Sequence, residues 1–125
     1  MSDLKQRKAD CVRVACAIAH ARGGGCRADC GGQHLGKLEA HHCVPRSRGW
    51  RYAADPDNIV LLCLRHHALV EDGQIHPTAV TATKELIRGK YQVSPVTRDE
   101  VLLHGAWLAG VAAAHGLSVP KWMRE

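Results

Sequence analysis

Phenylalanine is missing from this 125-residue chain, and aromatic residues of all kinds make up only 4% of it. With 46% hydrophobic residues and no Phe among them, the core has to be built mainly from Val, Leu, Ile and Ala. Such a core is thin in one small domain. A bound metal is an ordinary way to make up the deficit, because metal-binding free energy becomes folding free energy. Long apolar runs are missing too. Arg, Lys, Asp or His interrupts every segment before it reaches the roughly 20 residues a membrane span needs, so no membrane insertion is expected. The chain opens Met1-Ser2-Asp3-Leu4-Lys5-Gln6-Arg7-Lys8, without the apolar stretch that directs export, and a cytoplasmic protein is expected. In a reducing compartment its six cysteines read as thiols or metal ligands rather than disulfides. No internal repeat is visible.

What is present is positive charge and a dense set of metal-binding residue types. The formal charge is +5 and the pI is near 9.1, a balance that suits a polyanion such as nucleic acid. Basic residues concentrate at Lys5, Arg7 and Lys8 and again at Arg46, Arg48 and Arg51. The second group follows closely on the pair His41-His42. Arg46, Arg48 and Arg51, with Arg65 further on, are the expected nucleic-acid contacts.

The pattern predicts an α+β chain in a single domain, 1–125. Residues 4–22 read as a helix, with Cys11, Val14, Ala15, Ile18 and Ala19 on one face at helical spacing, ended by Gly23-Gly24-Gly25. Cys11 and Cys16 fall on different faces of it and read as small buried apolar residues, not as ligands. Residues 26–75 form the predicted core: a Gly-rich knuckle from Cys26 to Gly36, a strand from Leu38 to Val44, a loop to Asn58, a strand from Ile59 to Leu62, and a helix from about Leu64. Residues 78–125 are predicted to be a helical extension. Its first helix runs from Thr78 to Tyr91. Its second opens with the capping box Thr97–Glu100, presents Val101, Leu108 and Val111, and ends at Gly116. Trp107 and Trp122 are expected to pack.

A structural zinc ion takes four tetrahedral nitrogen or sulfur ligands from two short loops. Cys26-x3-Cys30 with Cys63-x2-His66 supplies that inventory, with His67 as an alternative to His66. Left over are His41, His42, Asn58 and His67. Neighbours on a strand point to opposite faces, so His41 and His42 divide their labour: one can bind a metal while the other stays free to take a proton near pH 7. A cation on a phosphate and a base for water are the two requirements of phosphodiester hydrolysis.

Three stretches, Leu38-Glu39-Ala40-His41-His42-Cys43-Val44-Pro45-Arg46-Ser47-Arg48-Gly49, then Asp57-Asn58-Ile59-Val60-Leu61-Leu62-Cys63, then His66-His67, closely resemble the signature of the HNH endonucleases in their zinc-stabilised form. The resemblance covers residues 26–75 and rests on several motif elements in the right order. It implies a small ββα-metal core with a structural zinc knuckle, and cleavage of DNA to a 5′-phosphate and a 3′-hydroxyl. His42 falls at the general-base position, His41 and His67 at the ligands of one catalytic divalent ion, and Asn58 at the Asn that ties the interstrand loop and orients the base. Cys26, Cys30, Cys63 and His66 fall at the zinc positions. Glu71 stands where many members with His at the first ligand position carry a further His. One helical turn after His67, it is a third ligand, an outer partner, or a solvated helix residue. His41 in place of Asp shifts the expected ion from Mg²⁺ towards Mn²⁺, Ni²⁺ or Zn²⁺. By analogy with the family, the expected partners are DNA and phage packaging or other DNA-processing proteins of a phage or mobile element.

Overall fold

The structure is a computed structural model that describes residues 3–125. It is an α+β fold of five α-helices and one two-stranded antiparallel sheet. Helix α1 spans Asp3–Arg22 and buries Cys11, Val14, Ala15, Ile18 and Ala19, the stripe its spacing predicts. Gly23, at φ 70°, closes it with an N–H bond to the His20 carbonyl of 3.1 Å. Against α1 lies α5, Arg98–Ala114, which buries Val101, Gly105, Leu108 and Ala112 along one side. Together the two helices supply most of the main core. Gly105 is required there. A Cβ at this position would sit 2.5 Å from the Trp122 ring, so the bare backbone lets that indole close the core. Trp107 does not pack as expected: it is 47% exposed, with its ring tilted against that of His104 at a centroid separation of 5.5 Å.

Strands β1, Leu38–His42, and β2, Ile59–Cys63, pair in a register that sets His41 opposite Val60 and His42 opposite Ile59. Every residue of β2 is buried because both its faces are covered. Ile59 joins the α1–α5 core, while Val60 and Leu62 join a second cluster with Ala28, Cys43 and Val80. β1 stops at His42, short of the expected Val44, because the Asn58 side chain takes both backbone groups of Val44. The connection between the strands holds a four-residue helix α2, Trp50–Ala53.

Helix α3, Leu64–Glu71, follows β2 without a spacer, so β1, β2 and α3 succeed one another as a ββα unit. Cys63 makes this junction possible. It ends the strand and caps the helix, its Sγ accepting from the His66 N–H at 3.4 Å. Helix α4, Thr78–Ile87, is shorter than predicted. Arg88 leaves helical geometry and Gly89 turns left-handed at φ 80°, which lets Lys90 and Tyr91 reach the buried Asp55. Thr97 caps α5 as expected, accepting from the Glu100 N–H at 3.1 Å, but the Glu100 carboxylate binds Arg51 instead of returning to the cap. Among the described residues no helix is long and apolar enough to cross a membrane.

Candidate metal centres and active site

Two groups of side chains are placed so that each could hold a metal ion. In each group the ligand atoms lie within 4.8 Å of one another. The first joins Cys26, His34, Cys63 and His66. His66 Nδ1 lies 3.1 Å from Cys63 Sγ and 3.6 Å from Cys26 Sγ. Tetrahedral zinc with ordinary Zn–S and Zn–N lengths sets its sulfur and nitrogen ligands about 3.6 Å apart, so the spacing suits that ion. Burial raises the Cys63 thiol. Hydrogen bonds from the backbone of His66 and Leu35 and from His34 and Cys26 outweigh it and bring the thiol down to about 6, towards the thiolate a metal needs.

Three of the four expected positions are therefore brought together and one is not. Cys30 is exposed and stands outside the group, and His34 occupies its corner. The loop explains the exchange. Gly31, at φ 83°, turns so closely that a Cβ there would lie 3.1 Å from Ile75. The Arg65 guanidinium donates to the carbonyls of Gly31 and, at 2.9 Å, Gln33. The tightened loop carries His34 back to His66, the two rings edge to face with centroids 4.6 Å apart. Arg65, expected to meet nucleic acid, is thus occupied in holding this loop.

The second group is His41, His67 and Glu71. His41 projects from β1 and is buried; His67 and Glu71 share a face of α3 one turn apart. Glu71 Oε1 lies 3.3 Å from His41 Nδ1 and 3.1 Å from His67 Nε2. The other nitrogen of His67, Nδ1, faces Glu39 Oε1 at 2.8 Å. A neutral His67 that donates from Nδ1 to Glu39 turns a lone pair from Nε2 towards Glu71. That placement is unfavourable unless a cation or a proton lies between them. His41 Nδ1 adds to the need: it is buried, and although Glu71 Oε1 is 3.3 Å away, it makes no well-directed hydrogen bond among the described residues. Burial, with the adjacent His67, holds His41 below its ordinary pKa despite Glu71, so it keeps a lone pair for a ligand. Two imidazoles and a carboxylate therefore fit a divalent ion, and the Glu39–His67 pair would be the outer hydrogen bond that fixes the tautomer of such a ligand. Glu39 is a residue the sequence reading passed over. Its signal was parity: two positions before His41, it lies on the same side of β1.

His42 takes a different partner. Its Nε2 lies 2.9 Å from the Ala53 carbonyl, which can only accept, so Nε2 carries the proton and Nδ1 the lone pair. Burial, then the nearby Arg46, lowers its pKa against the opposing pull of the Ala53 bond, so the ring is neutral at pH 7. Asn58, fully buried, binds the backbone on both sides. Its Oδ1 accepts from Val44 N at 2.8 Å, and its Nδ2 donates to Val44 O at 2.9 Å and Tyr52 O at 3.0 Å. By holding Tyr52 it holds the adjoining carbonyl of Ala53, and through that His42. The expectation that Asn58 ties the loop is met by this geometry.

His41, His42, His67 and Glu71 line one cleft of about 790 Å³, together with Arg46, Lys84 and Glu85. Arg51 lies elsewhere. It pairs with Glu100, at 2.7 Å through Nη2, and donates to the carbonyls of Gln92, Ser94 and Pro95, which makes it a strut under the α4–α5 connection. Comparison with protein-family models, with curated proteins and with solved structures finds no match for this chain.

Proposed function

We propose that the protein is a metal-dependent endonuclease that hydrolyses DNA phosphodiester bonds, as its likeness to the HNH signature suggests. One juxtaposition supports it: a three-residue ligand group with an orphaned imidazole nitrogen opens into the same cleft as a neutral histidine whose Nε2 is already committed. His41, His67 and Glu71 would hold a divalent ion, which when bound supplies positive charge to the scissile phosphate and its leaving oxygen. This donor set of two nitrogens and one carboxylate favours Mn²⁺, Ni²⁺ or Zn²⁺ over Mg²⁺. His42 Nδ1 takes a proton from water, and the hydroxide attacks phosphorus in line. The P–O3′ bond breaks and the departing oxygen takes up a proton, leaving a 3′-hydroxyl and a 5′-phosphate. Ala53 keeps His42 in the productive tautomer, and Asn58 keeps Ala53 in place. Cys26, His34, Cys63 and His66 would hold a structural zinc ion that fixes the start of α3, and so His67.

Supercoiled plasmid incubated with Mn²⁺ or Mg²⁺ tests this. Wild-type protein is expected to nick it, and the His42→Ala variant, with its zinc retained, is not. Plasmid left intact by wild-type protein with every ion would refute the nuclease and favour a zinc module that only binds. Substantial cleavage by the variant at matched pH would remove His42 as the base.

A further inference from the structure

The cleft does not end at the metal group. It shares Pro45 and Lys84 with a second groove of about 340 Å³ that continues between the interstrand loop and the end of α4. Three cations, Arg48, Lys84 and Arg88, line that groove, and no carboxylate does. Arg7, Arg13, Arg22, Arg51, Lys90 and Arg98 are each ion-paired with a carboxylate, and Arg65 is held by backbone carbonyls. Arg46, Arg48 and Lys84 are exposed, and their side chains have neither a hydrogen bond nor an ion pair among the described residues. Arg27, Lys37, Lys121 and Arg124 are likewise exposed and without a side-chain partner among the described residues, so what sets Arg48 and Lys84 apart is the groove they share. Arg88 is paired with Glu85 at 3.4 Å, but with both side chains about two-thirds exposed (66% and 65%) such a contact is weak and easily exchanged.

We propose that Arg46, Arg48, Lys84 and Arg88 form a backbone-phosphate track that leads a nucleic-acid strand away from the metal group along the end of α4. The track rests on the proposed nuclease reading for what lies in the cleft, and extends it beyond the segment that resembles HNH enzymes. Lys84 and Arg88 stand about one helical turn, or roughly 6 Å, apart, so their charges are spread along the groove and meet different phosphates. A place near the C-terminus of α4 also suits cations through the helix dipole, but that effect does not explain a groove whose charged lining residues are all cations. The ligand is an extended polyanion: such a row of side chains offers charge at intervals, which meets backbone phosphates without regard to sequence.

The test is the salt dependence of duplex binding, read by fluorescence anisotropy on zinc-loaded protein without added Mn²⁺ or Mg²⁺, so that no turnover is needed. Replacing Lys84 and Arg88 together by Gln is expected to flatten the slope of log K against log salt by about 1.8, two phosphates at about 0.9 each. Lys121 and Arg124, exposed in the last turn of the chain, give a charge-matched control when both become Gln, and the slope is expected to stay at its wild-type value. A wild-type slope in the Lys84→Gln, Arg88→Gln protein would overturn the track, as would equal flattening in the control. The two proposals fail separately. Lost slope with no plasmid cleavage leaves the track and removes the nuclease; cleavage with an unchanged slope does the reverse.

Discussion

Replacing Asn58 by Ala tests the local architecture without reference to any activity. The side chain is fully buried and makes bonds of 2.8, 2.9 and 3.0 Å to Val44 N, Val44 O and Tyr52 O. Tyr52 O keeps a second, longer contact from Asp55 N at 3.4 Å, so truncation orphans the two Val44 groups above all. A buried backbone group left without a partner costs about 1–3 kcal/mol, so the expected loss is about 2–6 kcal/mol, reduced where water can enter the space left behind. In a chain of this size, 3 kcal/mol corresponds to a fall in Tm of about 10 °C. Asn58→Asp separates hydrogen bonding from shape. The introduced carboxylate cannot donate, and it would turn negative charge on two carbonyl oxygens. The variant is therefore expected to be at least as unstable as Asn58→Ala at pH 7. It should recover part of the loss in acid, because burial raises the pKa of the introduced group and its neutral form can again donate one bond. Urea unfolding of zinc-loaded protein, with metal content checked, supplies the measurement. A loss below about 1 kcal/mol in Asn58→Ala would refute the view that this side chain ties the loop and, through Ala53, the base.

Zinc content separates the two candidates for the fourth corner of the Cys–His group. His34→Ala is expected to lose zinc and stability, and Cys30→Ser to keep both; the opposite result in elemental analysis and melting would restore Cys30. Glu39→Ala is expected to weaken binding at the second group by about 10–100-fold, and Glu39→Gln by less because it can still accept from His67 Nδ1. Competition titration of Mn²⁺ on zinc-loaded protein measures this, and equal affinities would show that Glu39 does not orient the ligand. For pH, the proposed mechanism makes the neutral form of His42 the working one, present above its pKa. That pKa lies below the ordinary value of 6.5, so cleavage at saturating Mn²⁺ should rise with pH through a midpoint below 6.5 and level off by pH 7. Arg46→Gln removes a cation that lowers the His42 pKa and should move the midpoint upward; an acid limb centred above pH 7 in the wild type would refute the assignment.

What was legible in the sequence is what short-range patterns determine. The stripe on α1, the Thr97 cap and the strands bearing His41 and Ile59 each follow from residues within a few positions, and β-strand parity alone separates His41 from His42. The metal corner was not legible because spacing along a chain measures how near two residues can come, not which way the loop closes. Cys30 has the better spacing. His34 is brought in by Gly31 and by Arg65, some 34 residues further along from the carbonyl it binds. Charge obeys the same division. A sequence counts cations, but whether a cation is available to a phosphate depends on whether a carboxylate has already been folded against it. Glu100, 49 residues away, removes Arg51 from the expected set, while Lys84, which no pattern singles out, enters because the fold brings it to the cleft unpaired. The proposed phosphate track is therefore drawn from basic residues left over once the fold has satisfied its own acids and gathered along the cleft and its adjoining groove, and charge density along the chain is a poor guide to it.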